Sequence, residues 1–535
     1  MTKLKNISRF TSIAIFLASY CFLLYFIFIA YKPYFNSDSA AKILLADGIL
    51  HGSNFYASWI SVNNDFWVFS THLFVLPFLL FLPTGYLAYA LGATFFSVFF
   101  LGSAWLLLSK LNTSKSIQFL ILAVLTSGIS PGYAEHIFGQ FSYGVGLSLA
   151  IIFLLLYLTI NSFEKNGVKS IIFESLIGVI FLLTFWGNPH RSLIFYFLPL
   201  SLAIYFYSSL SLNDANPIRV IKFNIRRVSV ILISSILGWY LHKLFQQMYA
   251  IELGVTDSPW VSFHEMWSHT IELIGSIFEV LGGRPPAGEK IKSVIGFYFL
   301  IRFVNVVIFL WLVKQLFSQK LASENKNIYL VFIYAIANFL LVSFFLVAST
   351  LNGIDRYLMP SLSLCLVVVL GIKTVGVTPL MRYGQYFVTA ILILSGPITY
   401  IEANSKSFEK IDLASINLQN FGQFLIQNNL KYGYATFYNA DATTVLSDSK
   451  VLIRHVNVIN GLPVPHLWLS SLQWYRPSTY SGNTFLALSK SESESLSLSK
   501  LKSYGLVPVE ILHFQEMVIY VFPENIAAKL PKWPN

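Results

Sequence analysis

The sequence predicts a polytopic α-helical membrane protein with a small extracytoplasmic α/β domain at its C-terminal end. Of the 535 residues, 55% are hydrophobic and only 11% are charged, whereas a soluble domain has about 25% charged residues. Apolar runs of about 20 residues, the length that crosses a bilayer, recur up to residue 400. Residues 401–535 lose this pattern and alternate helix-like and strand-like segments instead.

The composition excludes several other classes of protein. A mean hydropathy of +0.64 is too high for a water-soluble core. The net charge of +11 would suit nucleic acid, but the Lys and Arg residues cluster in short links between apolar runs. Cys21 and Cys365 both lie inside apolar runs, so a disulfide or metal framework is not expected. The chain has no P-loop and no G-x-G-x-x-G motif, and we expect neither a nucleic-acid partner nor a bound cofactor.

The apolar runs predict about eleven membrane spans. They lie near residues 11–31, 85–109, 116–131, 144–161, 170–187, 192–210, 228–248, 293–317, 328–350, 358–374 and 385–400. Lys3, Lys5 and Arg9 place the N-terminus in the cytoplasm, and every later basic link then falls on the same side. The C-terminus therefore lies outside. Few cysteines and many Lys and Asn residues favour a bacterial inner membrane.

The apolar run Phe66 to Leu82 is an exception among these spans. It contains His72 and Pro77 and has only the length of a short span. Counting it as a full crossing would invert every later link and put the basic ones outside. We expect a re-entrant or interfacial segment, or the start of a broken helix.

Two long loops and the tail are predicted to lie outside. The first loop, residues 32–66, contains an interfacial helix from Ala40 to Leu50, and the second covers residues 249–292. The domains are thus a transmembrane part, 1–400, and an α/β domain, 401–535. In that domain we expect a helix over Leu413 to Asn428, a solvated helix or loop over 489–499, and strands at Tyr432 to Tyr438, Val451 to Val456, Thr484 to Leu488 and Met517 to Phe522.

Asp38 is the first candidate for chemistry. It follows the first span at once, so its carboxylate lies on a short loop at the water–lipid boundary. A carboxylate at that depth could act as a general base on a hydroxyl while water is kept away. A cap of the following helix is an equally good interpretation, because Asn36, Ser37, Asp38 and Ser39 are all favourable N-cap residues. The two roles are compatible.

Asp65 is the second carboxylate of the first loop. It could orient an acceptor or hold a divalent cation together with Asp38, but a turn before the apolar run is the favoured interpretation. The sequence does not support a metal site elsewhere either. His264, Glu265 and His269 do not have the H-E-x-x-H spacing, and a solvated amphipathic helix face explains them better.

Three further outside junctions carry polar residues. Arg191 follows His190 between two spans and could hold a lipid phosphate, although an interfacial Arg also reaches lipid headgroups on its own. Arg356 begins a span and is a second phosphate candidate, or else pairs locally with its acidic neighbour. Glu135 and His136 could contact sugar hydroxyls, but a structural turn is the favoured interpretation.

Taken together, these segments resemble a known superfamily. The stretch Asn36 to Ala40, the turn Asn188 to Arg191 and the junction Arg356 to Pro360 resemble the GT-C superfamily of polyprenyl-phosphate-sugar-dependent membrane glycosyltransferases, in its family-39-like form. The resemblance covers residues 1–400 and rests on short motifs. It implies an enzyme that moves a sugar from a polyprenyl-phosphate carrier to an extracytoplasmic glycan, lipid or protein acceptor, with Asp38 as the base.

The sequence departs from that superfamily at one point. Many members have a second acidic residue close to the first, but Ser39 follows Asp38 here and Asp65 is the nearest substitute. This departure weakens the case for a metal-dependent mechanism. Two alternatives stay open: a lipid-linked oligosaccharide flippase or transporter, and a surface-glycan polymerase. A flippase does not explain the outside domain, and a polymerase typically relies on a large outside loop.

Overall fold

The computed structural model describes residues 2–52, 58–61, 65–163, 167–212, 216–249, 259–318, 326–350, 354–371, 378–402 and 417–531. Its residues divide into two units by their contacts. Unit 1 comprises Met1–Phe26, Phe96–Leu244 and Asp257–Ser405. Unit 2 comprises Ile27–Phe95, Phe245–Thr256 and Lys406–Asn535. Residues 250–258 of the predicted second loop and the predicted helix start at Leu413 lie outside the described ranges.

Helices dominate the chain up to residue 402. Their bounds are α1 Thr2–Tyr25, α2 Ser37–His51, α3 His72–Leu79, α4 Tyr86–Lys110, α5 Lys115–Thr126, α6 Pro131–Tyr133, α7 Ser142–Ile160, α8 Val168–Gly187, α9 Pro189–Ser192, α10 Leu198–Leu212, α11 Pro217–Tyr249, α12 Phe263–Val280, α13 Val294–Ser318, α14 Lys326–Ala348, α15 Ile354–Gly371 and α16 Pro379–Glu402. A two-residue strand, β1 Trp59–Ile60, lies between α2 and α3.

The helix lengths confirm a polytopic membrane protein. Within the described ranges, 9 helices have the length and composition of a span, and a tenth is added if α5 and the segment Pro131–Gly139, bent by 95°, count as one. The sequence predicted about eleven. The predicted span at 116–131 is this bent pair, since the chain turns at Gly128 with φ +59°. The predicted span at 358–374 corresponds to α15, which has 18 residues and stands outside those ten.

The run Phe66 to Leu82 does not form a spanning helix. It contains only α3, which has 8 residues and holds Pro77 inside it. A span needs about 20 residues. His72 begins α3, and burial lowers the pKa of its imidazole to about 4. The run is therefore not a full crossing, and its assignment as a re-entrant or interfacial segment, or as the start of a broken helix, stays a prediction.

π-Helical turns interrupt the long helices at three places in the described residues: Phe26–Ala30, Ala134–Gly139 and Leu193–Phe197. Such turns displace carbonyls from the α-helical hydrogen-bond pattern, and other groups must satisfy them. The Tyr86 hydroxyl donates to the Ile27 carbonyl at 2.6 Å. Tyr334 and Asn338 both donate to the Phe195 carbonyl, at 2.8 and 2.9 Å. A side chain of unit 2 thus stabilises the first of these turns, and two side chains of unit 1 stabilise the third.

A buried arginine fixes the break between α5 and α6 in unit 1. The Arg302 guanidinium is 3% exposed and donates to the Ile129 carbonyl and to the Tyr298 hydroxyl. Gly282, with φ +71°, makes room for it, because a Cβ there would overlap the guanidinium. An intramembrane charge is costly unless its donors are used. The two terminal nitrogens of Arg302 make these hydrogen bonds, and the bond to Ile129 holds the chain six residues ahead of Glu135.

Unit 2 contains a six-stranded mixed sheet. The strands are β2 Tyr432–Ala435, β3 Leu452–Ile459, β4 Leu462–Pro465, β6 Thr484–Ser489, β7 Glu510–Phe514 and β8 Met517–Phe522, in the order β4-β3-β2-β6-β8-β7. β2 runs parallel to β3 and β6, and the remaining pairs are antiparallel. The helices are α17 Leu418–Gln427, α18 Phe437–Leu446, α19 Lys490–Glu494 and α20 Leu498–Ser503.

Apolar side chains cover both faces of this sheet. Phe421 and Leu425 of α17 pack with Ile453 on one face, and Leu501 and Ile526 pack on the other. The α/β prediction is confirmed, with one correction. The predicted strand Tyr432 to Tyr438 ends at Ala435, because Thr436 is the N-cap residue of α18, which begins at Phe437. The sequence missed β4 and β7.

The first loop packs against the C-terminal residues inside unit 2. Helix α2 lies on α18, and the Ser37 hydroxyl donates to the Phe437 carbonyl. Strand β1 pairs antiparallel with β5, Ser470–Ser471, which places Trp59 opposite Ser471. A cluster of Ala41, Leu45, Trp59, Phe437 and Leu469 is buried between these segments. The C-terminal residues therefore form part of the setting of Asp38.

Candidate active site

Asp38 lies in the first turn of α2 and is half-buried. The helix is capped by Asn36, whose side-chain oxygen accepts from the Ser39 backbone N–H at 3.1 Å. The cap interpretation of Asp38 is therefore wrong, because the neighbouring asparagine does this work. A carboxylate in the first turn is favoured by the partial positive charge of the helix N-terminus. The carboxylate itself remains available for other chemistry.

A second carboxyl, Asp441 of α18, lies in the same region. Its side chain is fully buried, and neither of its oxygens accepts a hydrogen bond from the described residues. Burial raises the pKa of Asp441 well above its usual range; the Arg454 guanidinium opposes this, and the charge of Asp38 raises it further. Burial therefore favours the protonated form of Asp441, which lies close enough to Asp38 to be influenced by its charge.

His455 of β3 is the neighbour of Asp441. Its Nε2 lies 4.0 Å from Asp441 Oδ2, and both residues are completely buried. The imidazole stacks on Phe437, with ring centroids 5.2 Å apart. Burial, together with the charges of His466 and Arg454, holds the pKa of His455 well below its usual range. The pair is therefore uncharged on both sides.

Arg454 points to the other face of the sheet from His455. Its guanidinium lies 4.3 Å from the centroid of the Trp474 ring and 5.7 Å from that of Tyr432. It is 7% exposed, and its Nε donates to no described residue. Stacking on aromatic faces satisfies a guanidinium only in part. The Arg454 guanidinium also adds a positive charge to the surroundings of Asp441.

Asp65 occupies the position expected of a turn residue. Its Oδ1 accepts from the Trp67 backbone N–H at 3.1 Å, two residues further on, and Trp67 has a left-handed φ of +49°. An Asp side chain that bonds to the backbone two residues on is typical of an Asx turn. The turn interpretation thus describes this contact, and a role for Asp65 in chemistry stays a prediction.

In unit 1 the predicted polar junctions meet around Tyr143 of α7. His136 lies 5.6 Å from the Tyr143 ring, and Tyr357 lies 5.7 Å from it on another side, both edge-on. Arg356 stacks over the Tyr357 ring at 5.3 Å. The charges of Arg356 and Arg191 both act on the Tyr143 phenol. We call His136, Tyr143, Arg191, Arg356 and Tyr357 the Tyr143 cluster.

The remaining predicted residues, Glu135 and His190, are sequence neighbours of two members of this cluster. Glu135 accepts from the Gln140 amide at 3.0 Å. Asn188 caps α9 by accepting from the Arg191 backbone N–H at 3.0 Å. His190 is exposed. Glu135 lies in the π-helical segment Ala134–Gly139, while Arg191 and Arg356 are partly buried cations.

Backbone distortions mark the same segments. Of the three π-helical turns, Phe26–Ala30 directly precedes the first loop, Ala134–Gly139 contains Glu135 and His136, and Leu193–Phe197 follows Arg191. Phe141, two residues before Tyr143, has φ +44°, which is unusual for a bulky side chain. Such distortions concentrate at functional sites because the surrounding structure must stabilise them. They supply a second, independent reason to look at these segments.

Sequence reasoning missed several residues of these groups. Tyr143 lies in an apolar run, and nothing in its spacing distinguishes it from a core aromatic. Asp441, Arg454 and His455 lie more than 370 residues beyond the first loop, and only the folded sheet brings them near Asp38. Among the described residues, no three His, Cys, Asp or Glu side chains form a group that could hold a metal ion.

Two solved structures share this fold over nearly the whole chain. The crystal structure of apo ArnT from Cupriavidus metallidurans matches with a TM-score of 0.52 at 12% identity, covering 98% of this chain and 99% of that one. The structure of the same ArnT bound to undecaprenyl phosphate matches with a TM-score of 0.50 at 13% identity, covering 97% and 99%. No protein-family profile and no curated protein sequence matches the chain. Identities this low establish the fold alone, and the predicted polytopic helical membrane fold with a C-terminal α/β domain is confirmed.

Proposed function

We propose that this protein is an integral-membrane glycosyltransferase. It moves a sugar from a polyprenyl-phosphate carrier to an extracytoplasmic glycan, lipid or protein acceptor. The observation that supports this most strongly is the fold match over 98% of the chain to ArnT, one structure of which contains undecaprenyl phosphate. Fold alone does not define an activity, so the chemistry has to be argued from the site.

Asp38 is the proposed general base. As the acceptor oxygen bonds to the anomeric carbon, its proton passes to the Asp38 carboxylate, and the bond between that carbon and the phosphate oxygen breaks. The leaving group is polyprenyl phosphate. Position in the first turn of a capped helix favours the required charge. Asp441 supports the assignment by its proximity, since the charge of Asp38 contributes to the raised pKa of Asp441.

Arg191 and Arg356 are the proposed phosphate-binding residues. A leaving phosphate gains a negative charge, and guanidinium groups stabilise it with paired hydrogen bonds. Both cations act on one phenol, Tyr143, so they face a common region of unit 1. Glu135, His136 and His190 are proposed to contact the sugar or the phosphate at the edges of this region, and Asp65 to help orient the acceptor.

The sidedness follows from the charged links. We propose a multi-pass protein of the bacterial inner membrane with a cytoplasmic N-terminus and an extracytoplasmic C-terminus. Residues 1–400 form the catalytic part, and residues 401–535 form the outside domain. On this arrangement the donor and the acceptor meet on the outer face, and the enzyme needs no nucleotide.

The test is a transfer assay on the purified full chain in proteoliposomes. A polyprenyl phosphate with a radiolabelled sugar is supplied together with an envelope extract as acceptor. We expect label to leave the carrier and appear in the acceptor, and Asp38→Asn to prevent this. Asp47→Asn, the same change further along α2, is the matched control and should retain transfer. Label that crosses the bilayer while still bound to its carrier would instead establish a transporter.

A further inference from the structure

Unit 2 contains a cleft at the ends of two membrane spans. Its volume is about 370 Å³, within the range of roughly 300–1,000 Å³ of small-ligand sites. Phe28 belongs to the last turn of the first span, and Tyr86 and Leu87 belong to the first turn of the second. The first span ends where the second one begins, so both ends lie at the same membrane face. The cleft therefore opens at the level of lipid headgroups.

Charged and amide side chains line the cleft on its polar side. Lys32 and Lys450 flank it, and the amides of Gln419 and Gln423 project from α17. Lys32 also lies over the Tyr86 ring, 5.6 Å from its centroid. Two ammonium groups against the single carboxylate of Asp448 leave a net positive charge. An ammonium group binds phosphate as a point charge, and amides bind neighbouring hydroxyls.

The other side of the cleft is lined by apolar side chains, some of them exposed. Phe28, Leu87 and Ile426 line it. Leu87 is 53% exposed, and Ile29 next to the cleft is 58% exposed. A water-soluble anion would gain no binding energy from these apolar side chains. A ligand with both a phosphate and an apolar tail suits the two sides together.

One wall of the cleft is formed by the turn that contains Asp448 and Lys450, and contacts with the start of the second span hold this turn in place. Asp448 and Ser449 are consecutive left-handed residues, with φ +53° and +56°. Ser449 donates to the Thr84 carbonyl at 2.9 Å. Asp448 lies directly on Gly85, where any Cβ would overlap its carboxylate. Strain of this kind persists only when surrounding contacts enforce it, and it concentrates at ligand sites.

From this juxtaposition we propose that the cleft binds the phosphate-bearing headgroup of a lipid. Lys32 and Lys450 hold the phosphate, Gln419 and Gln423 hold the hydroxyls of the headgroup, and Phe28 and Leu87 contact the tail. The same chemistry is offered by an anionic phospholipid of the bilayer and by a polyprenyl phosphate. All residues that line the cleft belong to unit 2, whereas the Tyr143 cluster belongs to unit 1, and the proposal depends on no step of the proposed reaction.

Lipid binding to the delipidated full chain in detergent tests the proposal without measuring turnover. Native mass spectrometry gives the occupancy by phosphatidylglycerol, by a polyprenyl phosphate, and by diacylglycerol, which lacks phosphate. We expect the double variant Lys32→Gln/Lys450→Gln to lose at least tenfold in affinity for one bound phosphate lipid. The matched control is Lys490→Gln/Lys502→Gln, which removes two exposed lysines of unit 2 that do not line the cleft.

A second variant guards against a purely structural effect. Gln423→Trp fills the cleft from an exposed helix position and keeps both lysines, so it should lower the same occupancy. Loss restricted to phosphatidylglycerol supports the proposal and assigns the site to bilayer lipid. Loss restricted to polyprenyl phosphate supports it and assigns the site to the carrier. Unchanged occupancy in both variants, or an equal loss in the control pair or with diacylglycerol, would overturn it.

Discussion

His455 Nε2 lies 4.0 Å from Asp441 Oδ2, in a setting where neither side chain is exposed at all. An ionised pair at this depth would have to overcome a large desolvation penalty. With the pKa of Asp441 raised and that of His455 lowered, chiefly by burial, both groups are neutral instead. A neutral acid and a neutral imidazole thus lie beneath the helix that presents Asp38.

This pair predicts how stability depends on pH. Folded Asp441 keeps its proton at pH values where the unfolded residue, with a pKa of about 3.9, loses it. The stability it contributes is complete below pH 3.9 and declines as pH rises towards its raised pKa, by up to about 1.4 kcal/mol per unit. Asn does not titrate. We therefore expect Asp441→Asn to gain stability relative to wild type from pH 4 to pH 7.

Denaturant unfolding of the purified full chain at several pH values measures this difference. Glu510→Gln, at an exposed carboxyl of unit 2, gives the baseline for losing a surface charge. A difference between Asp441→Asn and wild type that shrinks as the pH rises would mean that Asp441 is ionised in the folded protein.

Asp38→Asn should remove turnover and spare the fold. A positioned base contributes typically 10²- to 10⁴-fold, and an amide cannot accept the proton. The helix keeps its cap, because Asn36 supplies it. Single-turnover kinetics should show a loss of that size with carrier binding unchanged. The paired variant Asn36→Ala should instead cost about 1 kcal/mol of local stability and leave the chemical step largely intact. Equal rates for Asp38→Asn and wild type would leave Asp65 as the next base to test.

Arg191→Lys and Arg356→Lys should weaken binding of the carrier phosphate. A lysine keeps the charge but cannot reproduce the planar, bidentate fork of a guanidinium. We expect about a tenfold loss in donor affinity for each, by titration of polyprenyl phosphate. Arg284→Lys is the control, since that arginine pairs with Glu279 at 2.7 Å on an exposed part of unit 1. Wild-type affinity in both variants would contradict the proposed phosphate binding and would mean that these arginines only contact lipid headgroups.

Gly282→Ala should destabilise unit 1. The residue has φ +71°, which costs an alanine roughly 1–2 kcal/mol, and its Cβ would also overlap Arg302. Gly102→Ala is the matched control, because its Cβ would meet nothing within 4 Å and it lies inside helix α4. The two variants should therefore move the melting temperature of the full chain in opposite directions, since alanine favours a helix interior by roughly 0.5–1 kcal/mol. A melting temperature unchanged by Gly282→Ala would show that Arg302 can move aside.

The C-terminus should lie outside the cytoplasm. The basic links between spans require it, and α3 is too short to reverse the order. A reporter that is active only outside the cytoplasm, fused after Asn535, should be active. A fusion after Lys320, within a predicted cytoplasmic link, should be inactive and is the internal control. Activity at both positions would contradict the proposed sidedness.

Much of this fold could be predicted from the sequence. Hydropathy and charge asymmetry are strong local signals, so they indicate the spans, the short helix α3 and the helix that begins near Asp38. The strand β2 was predicted too long because Phe437 and Tyr438 favour strands by composition, whereas Thr436 starts a helix there. Local propensity cannot anticipate that Phe437 is needed against His455.

The site was predictable only in part. Arg191 and Arg356 are visible as cations at the ends of spans, and structure places both near Tyr143. Tyr143 itself looks like any aromatic residue of an apolar helix. Asp441 and His455 could not be predicted as site residues for a different reason. Their environment depends on the register of the sheet and on burial against α2, and the residues next to them in sequence indicate neither.

The hydrogen bond from Ser37 to the Phe437 carbonyl joins residues 400 positions apart. Ribosomes make the chain from its N-terminus, at about 5–20 residues per second. For at least some twenty seconds of synthesis, α2 is therefore present without the residues that bury its apolar side. Any chain that terminates early also lacks the partner of Ala41 and Leu45. Unit 2 thus couples the placement of Asp38 to completion of the polypeptide, and truncated products should be inactive and readily degraded by envelope proteases.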